Sequence, residues 1–247
     1  MPIDIFEPYD ELNSSRKKVV ERDDFISIST IMSGRTPYLF TEAFHADVPN
    51  AKDRLSKGHM YDVSSNAFSS LQEVFLTVEP AEVNDYCRVL GRLNSSRVYC
   101  WIKKKYVRGR SPEFIGKWKV FLPKANGASG MLGDEPARII SKPAIGRPYD
   151  IATDTFICVG AFDDEAQANA LYKYINGKFA RVLLGILKVT QDNTPDKWSY
   201  VPIQDFTNNS DIDWTRSISE IDAQLYKKYC LDANEIAFIE SMIQPME

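Results

Sequence analysis

Apolar positions change their period along this chain. Residues 11–25, "ELNSSRKKVVERDDF", suit a helix, and "FISISTIM" (25–32) alternates like a strand. Residues 41–60, "TEAFHADVPNAKDRLSKGHM", show little periodicity and read as a polar loop. "SLQEVFLTVEP" (70–80) and "RVYCWIKKKYV" (97–107) carry β-branched and aromatic residues at strand spacing. "KWKVFLPK" (117–124) predicts another strand, with Trp118, Val120 and Leu122 on the core face and Lys117, Lys119 and Phe121 facing outward. Pro123 ends that strand or puts it at an edge. "NGASGMLGDEP" (126–136) has the glycines of a loop.

Beyond a further buried strand, "TDTFICVGAF" (153–162), the period becomes helical. Asp163 or Asp164 caps a helix through "EAQANALYKYINGKFARVLLGILKVT", where Ala170, Leu171, Tyr174, Ile175, Phe179, Val182, Leu183 and Ile186 form one stripe. Gly177 is positioned to break it in two. Lys173, Lys178, Arg181 and Lys188 read as its solvated face. "WSYVPIQDF" (198–206) is extended because of Pro202. Two helices close the pattern, each opened by a capping box, Ser217 with Glu220 and Asp232 with Glu235. The expected fold is α+β: a mixed, mostly antiparallel sheet in the N-terminal and middle parts, with helices concentrated in the C-terminal third. Residues 1–247 are expected to form a single domain, with a strand-rich part (1–150) and a helix-rich part (151–247) as its subdivision.

Composition adds a class. The 247 residues are 44% hydrophobic and 26% charged, ordinary for a globular protein. No apolar run reaches the roughly 18 residues of a membrane span. The acidic, polar start is unlike a secretory signal. The cysteines at 87, 100, 158 and 230 form no CxxC pair, and with only His45 and His59 no zinc site or disulfide framework is expected. They are expected to be buried thiols, and the histidines solvated or loop-capping. Together these point to a reduced, cytoplasmic protein without membrane or metal.

The net charge of −4 is unevenly spread. "RVYCWIKKKYVRGR" (97–110) holds six basic residues and no acid, whereas from Asp205 onward nine acids face Arg216, Lys227 and Lys228. Basic groups interleaved with Tyr99, Trp101 and Tyr106 suit phosphates and bases. A strand edge guarded by lysines explains the same segment equally well. No GxSxG, HExxH or Walker sequence is present, and "GASGMLG" does not lead into a helix that would complete a phosphate loop. Glu113, Lys117 and Asp154 are the acids and lysine a metal-dependent nuclease would need, without the spacing usual for one.

From Lys117 onward, the order "KWKVFLPKANGASG", "TDTFICVGAFDDEAQANALYKYINGKFARVLLGILKVTQD", "YVPIQDF" and "DWTRSISEIDAQLYKKYCLDANEIAFIESMI" resembles the C-terminal target-recognition region of adenine-specific DNA methyltransferases. The likeness is to type II enzymes of bacterial restriction–modification systems that fuse methylation and restriction. "STIMSGRTPYLF" (29–40) is similar to the segment that follows their catalytic core. The core itself is missing: no [DNS]PP[YFW] motif and no FxGxG-like loop occur. The resemblance implies a non-catalytic module that contacts double-stranded DNA beside methyltransferase or nuclease domains of the same or a longer polypeptide. S-adenosylmethionine would belong only to the absent part. A nuclease domain or a protein-interaction scaffold is the alternative. The residues expected to meet DNA are Lys103, Lys105, Arg108 and Arg110 on the backbone, and Lys124, Asn126 and Ser129 on the glycine loop. Gln191 and Asn193, after the long helix, are further candidates for DNA contact, and the acidic C-terminal helices are expected to face away.

Overall fold

Acids open and lysines close "DELNSSRKKVV", matching the dipole of a helix, and these residues form α1 (Asp10–Val20), which buries Leu12, Ser15 and Val19. The computed structural model describes residues 9–125, 132–133 and 135–246. Residues 25–32 do not form the expected strand. The Ser27 and Thr30 hydroxyls bond neighbouring main-chain groups and hold a 3₁₀ turn at Ile28–Ile31. After β1 (Tyr38–Phe40), the stretch expected to be loop forms two short helices, α2 (Glu42–Asp47) and α3 (Ala51–Arg54). Thr41 caps the first by accepting the Phe44 N–H, and Phe44 stacks on Phe40 with centroids 4.2 Å apart. The strand expected over 70–80 is also absent. α4 (Ala67–Ser70) ends there, and only Leu76 bridges to Trp101.

β2 (Tyr86–Leu93) and β3 (Ser96–Lys103) make an antiparallel hairpin, followed by β4 (Val107–Gly109) and α5 (Glu113–Gly116). β5 (Trp118–Pro123), β6 (Ala144–Gly146), β7 (Asp150–Ala152) and β8 (Phe156–Phe162) complete the described strands. They pair as β1–β4, as β3–β2–β7 with β7 parallel to β2, and as β6–β5–β8 with β5 central. A bulge between Trp118 and Val120 coincides with Gly160 at φ 72°, a left-handed conformation that suits glycine.

α6 (Glu165–Asn176) begins where Asp164 accepts the Ala166 N–H. α7 (Lys178–Leu187) follows after the break at Gly177, then α8 (Ile218–Lys228) and α9 (Ala233–Met242), both with the capping boxes expected of them. The fold is α+β, with mixed, largely antiparallel pairing and, α1 apart, the long helices in the C-terminal part. The chain forms two compact units whose segments interleave along the sequence. One contains 1–31, 125–143 and 169–247, and the other contains 32–124 and 144–168.

The strand-bearing unit is packed around Tyr38, Phe40, Phe44, Phe68, Val89, Ile102, Phe121, Ile151 and Phe156. The helical unit is packed around α7, where every residue from Phe179 to Ile186 is buried. The cations of α6 and α7 are therefore not a solvated face. Arg181 is fully buried, donating to the Gly177 and Arg138 carbonyls. Lys188 is buried too, and burial pushes its pKa down to about 8. Lys173 donates to the carbonyls of Trp214, Thr215 and Arg216, and Lys178 pairs with Glu240 at 2.6 Å. Buried cations persist when main-chain oxygens or carboxylates satisfy them.

Two other expectations change. Cys87, Cys100 and Cys158 are buried, but Cys230 is exposed. His45 is buried between the Phe44 and Tyr61 rings, whereas His59 is exposed and bonds Asp62 at 2.8 Å.

Candidate nucleic-acid interface

Asn94 and Ser95 both take positive φ, 49° and 65°, between Leu93 and Ser96. Two such residues make the tight turn whose twist matches a hairpin, and Arg92 braces it by donating to the Ser95 carbonyl. The turn fixes the register: Tyr86 opposite Lys103, Arg88 opposite Trp101, Arg92 opposite Arg97. Side chains alternate across the pleat. Cys87 and Val89 of β2, with Cys100 and Ile102 of β3, are buried. Tyr86, Arg88 and Arg92, with Arg97, Tyr99, Trp101 and Lys103, lie on the other face, half-buried or exposed, around Leu90, which is buried. Residues 86–110 hold eight basic residues and no acid.

Asp150 of β7 orders this face. It takes the Arg88 Nε at 3.0 Å and Nη2 at 2.5 Å, and it also accepts the Arg147 N–H at 3.0 Å. The two-point contact holds the guanidinium 4.4 Å from the Tyr99 ring centre. Tyr149 sits beside it at φ 64°, a conformation costly for a bulky residue, with the Lys104 ammonium 3.7 Å from its ring centre. Glu79, Tyr86, Arg88, Trp101, Lys104 and Tyr149 are among the residues that wall a cleft of about 260 Å³. A wider hollow of about 540 Å³, lined by Glu82, Asp85, Tyr86 and Lys103 to Lys105, adjoins it through Tyr86 and Lys104.

Beneath the cleft lies Lys119. Its expected outward position is wrong. The side chain is fully buried, and Nζ donates to the carbonyls of Asp150 at 2.9 Å, Arg147 at 3.0 Å and Ile115 at 3.4 Å. β5 is buried on both faces from Lys119 to Pro123, and carbonyls of the 147–150 turn and of α5 supply the acceptors. Burial pushes the amine down to about 8, so it is still an ammonium at neutral pH. It pins from below the turn that carries Arg147, Tyr149 and Asp150.

The expected contact residues divide. Lys103 and Lys105 are exposed on the wider hollow. Lys105 pairs with Asp47 at 2.6 Å, a hydrogen bond that raises the lysine and holds the Asp47 carboxyl below its usual range. Arg108 is exposed on β4, opposite Leu39. Exposed Arg110 donates to the Thr36 carbonyl and to Asp62. Among the described residues no carboxylate pairs with Lys103 or Arg108. Lys124 is half-buried at the end of β5, its N–H bonded to the Thr155 carbonyl. Asn126 and Ser129 lie outside the described residues. Gln191 is exposed and Asn193 buried, both in the other unit. Of the nuclease candidates, Lys117 pairs with Asp163. Tyr86, Arg88, Arg147 and Tyr149 were not expected at the site. The alternation of "YCRVLGRLNSSRVYCW" about its turn was the available signal for the first two.

Among the described residues no cluster of His, Cys, Asp and Glu is arranged to hold a metal ion, and no helix is long and apolar enough to cross a membrane. No family model, curated protein or solved structure matches the chain.

Proposed function

We propose that this chain is a DNA-contacting target-recognition module of a restriction–modification methyltransferase or endonuclease. The observation that carries the reading is the run of eight basic residues without an acid over 86–110, carried by the β2–β3 hairpin, the 3₁₀ turn at Lys104–Tyr106, β4 and the residue after it. Lys103, Lys105, Arg108 and Arg110 hold phosphates and set register; they carry no sequence information themselves. The reading places S-adenosylmethionine and the reaction in a separate methyltransferase part.

The test is duplex binding by the folded chain at low salt. Replacing Lys103 and Arg108 together by alanine is expected to weaken a labelled duplex about tenfold or more, since two phosphate contacts are lost. Unchanged affinity in the double variant would show that the contact face lies elsewhere. No duplex binding by the intact wild-type chain would remove the function.

A further inference from the structure

We infer that the outward face of the β2–β3 hairpin is a stacking platform for unpaired DNA bases. The inference rests on the DNA-binding reading above and names the form of DNA that this face takes.

The geometry is that of alternating rings and cations on one pleated surface. Tyr99 and Trp101 stand two residues apart on β3, which sets them about 6.8 Å apart along the strand. Bases in a duplex are stacked every ~3.4 Å, so rings at this spacing suit bases drawn apart from one another. Arg88 lies opposite Trp101 and Lys103 opposite Tyr86, while Tyr99, opposite Leu90, has the Arg88 guanidinium over its ring from the neighbouring pair. Tyr99 remains 38% exposed and Tyr149 46%, large exposure for aromatic side chains. Asp150 and Arg88 neutralise each other, and their pairing fixes a guanidinium against the Tyr99 ring, while Arg92, Arg97 and Lys103 supply the positive charge of this face. Rings supply stacking that any base can use, and the cations track the backbone between them.

A groove-reading surface would look different. It would present side chains with two-point donors and acceptors on a helix or ribbon narrow enough for the major groove. This face sets rings among its cations, and two of its three guanidinium groups are engaged within the protein, Arg88 with Asp150 and Arg92 with the Ser95 carbonyl. The occupant is therefore a single-stranded stretch.

Fluorescence anisotropy with a labelled oligothymidylate, and with the matched blunt duplex, tests this on the full chain. The single strand is expected to bind more tightly than the duplex at equal salt. Tyr99→Ala is expected to weaken it about tenfold while Tyr99→Phe restores it, because the ring and not the hydroxyl stacks. Tyr99 is exposed enough that its removal leaves the core intact, and circular dichroism confirms the fold of each variant. Trp101→Phe provides a second, ring-conserving control. Equal single-strand affinity for wild type and Tyr99→Ala overturns the platform. If the duplex still binds, and Lys103→Ala with Arg108→Ala weakens it, the DNA-binding reading survives that result. Single-strand binding lost in Tyr99→Ala without measurable duplex binding supports the platform and overturns duplex recognition.

Discussion

Lys119 meets three main-chain oxygens, the number an ammonium needs to satisfy its donors. Its contribution is to tie two loop segments to the central strand, because α5 and the 147–150 turn supply those oxygens. Lys119→Met keeps the aliphatic stem and removes every donor. Carbonyls left buried without partners are each costly, so the variant is expected to lose about 3 kcal/mol. The urea midpoint is expected to fall and duplex affinity to drop with it, as Arg147, Tyr149 and Asp150 lose their anchor. A midpoint equal to wild type would mean that the ammonium contributes nothing to the fold. No local pattern distinguishes this lysine from Lys117 two residues earlier. Period-two alternation placed both outward, but one is buried and the other pairs with exposed Asp163. What separates them is the 147–150 turn, distant in sequence, whose carbonyls lie over Lys119.

At the scale of elements, the start of α7 shows how one helix completes another. Gly177 precedes the helix and has no side chain to cap it. Asp222, reaching from α8, accepts the N–H groups of Lys178 at 2.8 Å and Phe179 at 3.1 Å. A Cβ at position 177 would stand 2.6 Å from the Asp222 carboxylate, which explains glycine at the break. Burial pushes the Asp222 carboxyl up to about 6, although both N–H bonds favour the ionised form. Raised above its unfolded value, this group binds its proton more tightly in the native state. It therefore makes stability fall as pH rises from about 4 to about 6, and not change further above that. Relative to Asp222→Asn, which does not titrate, the wild type is expected to lose on the order of 3 kcal/mol across that window. Parallel stability curves for the two proteins between pH 4 and 6 would contradict this. The caps of α8 and α9 were legible because Ser217 with Glu220, and Asp232 with Glu235, act within four residues. The cap of α7 was not, since its carboxylate lies 44 residues from the Lys178 N–H it accepts. The same holds for the strands. β5 and β8 were legible as runs, whereas β1, β4, β6 and β7 are three residues each and exist through their partners.

For the whole molecule, charge separates by position more than it sums. A net charge of −4 conceals a basic stretch over 86–110 and an acidic stretch from Asp205 onward. Duplex binding through about four phosphate contacts would make affinity fall roughly a hundredfold between 50 and 200 mM salt. A salt-independent affinity would be incompatible with phosphate contact through Lys103, Lys105, Arg108 and Arg110. The α+β class and the order of the helices were readable from the change of period, and the basic segment from its composition. The cleft was not. Its walls come from Glu79, from the hairpin and from the 147–150 turn, which only the parallel pairing of β7 with β2 brings alongside.

The cysteines turn this organisation into a count. Cys87, Cys100 and Cys158 all belong to the strand-bearing unit and are buried, and burial pushes Cys87 and Cys158 up to about 12. Thiol reagents attack the thiolate, so these groups are silent until that unit opens. Cys230 is exposed in the helical unit and reacts at once. One thiol titrates in the native protein and four in denaturant, and the rate at which the last three appear is a clock for the opening of the unit that carries the basic face.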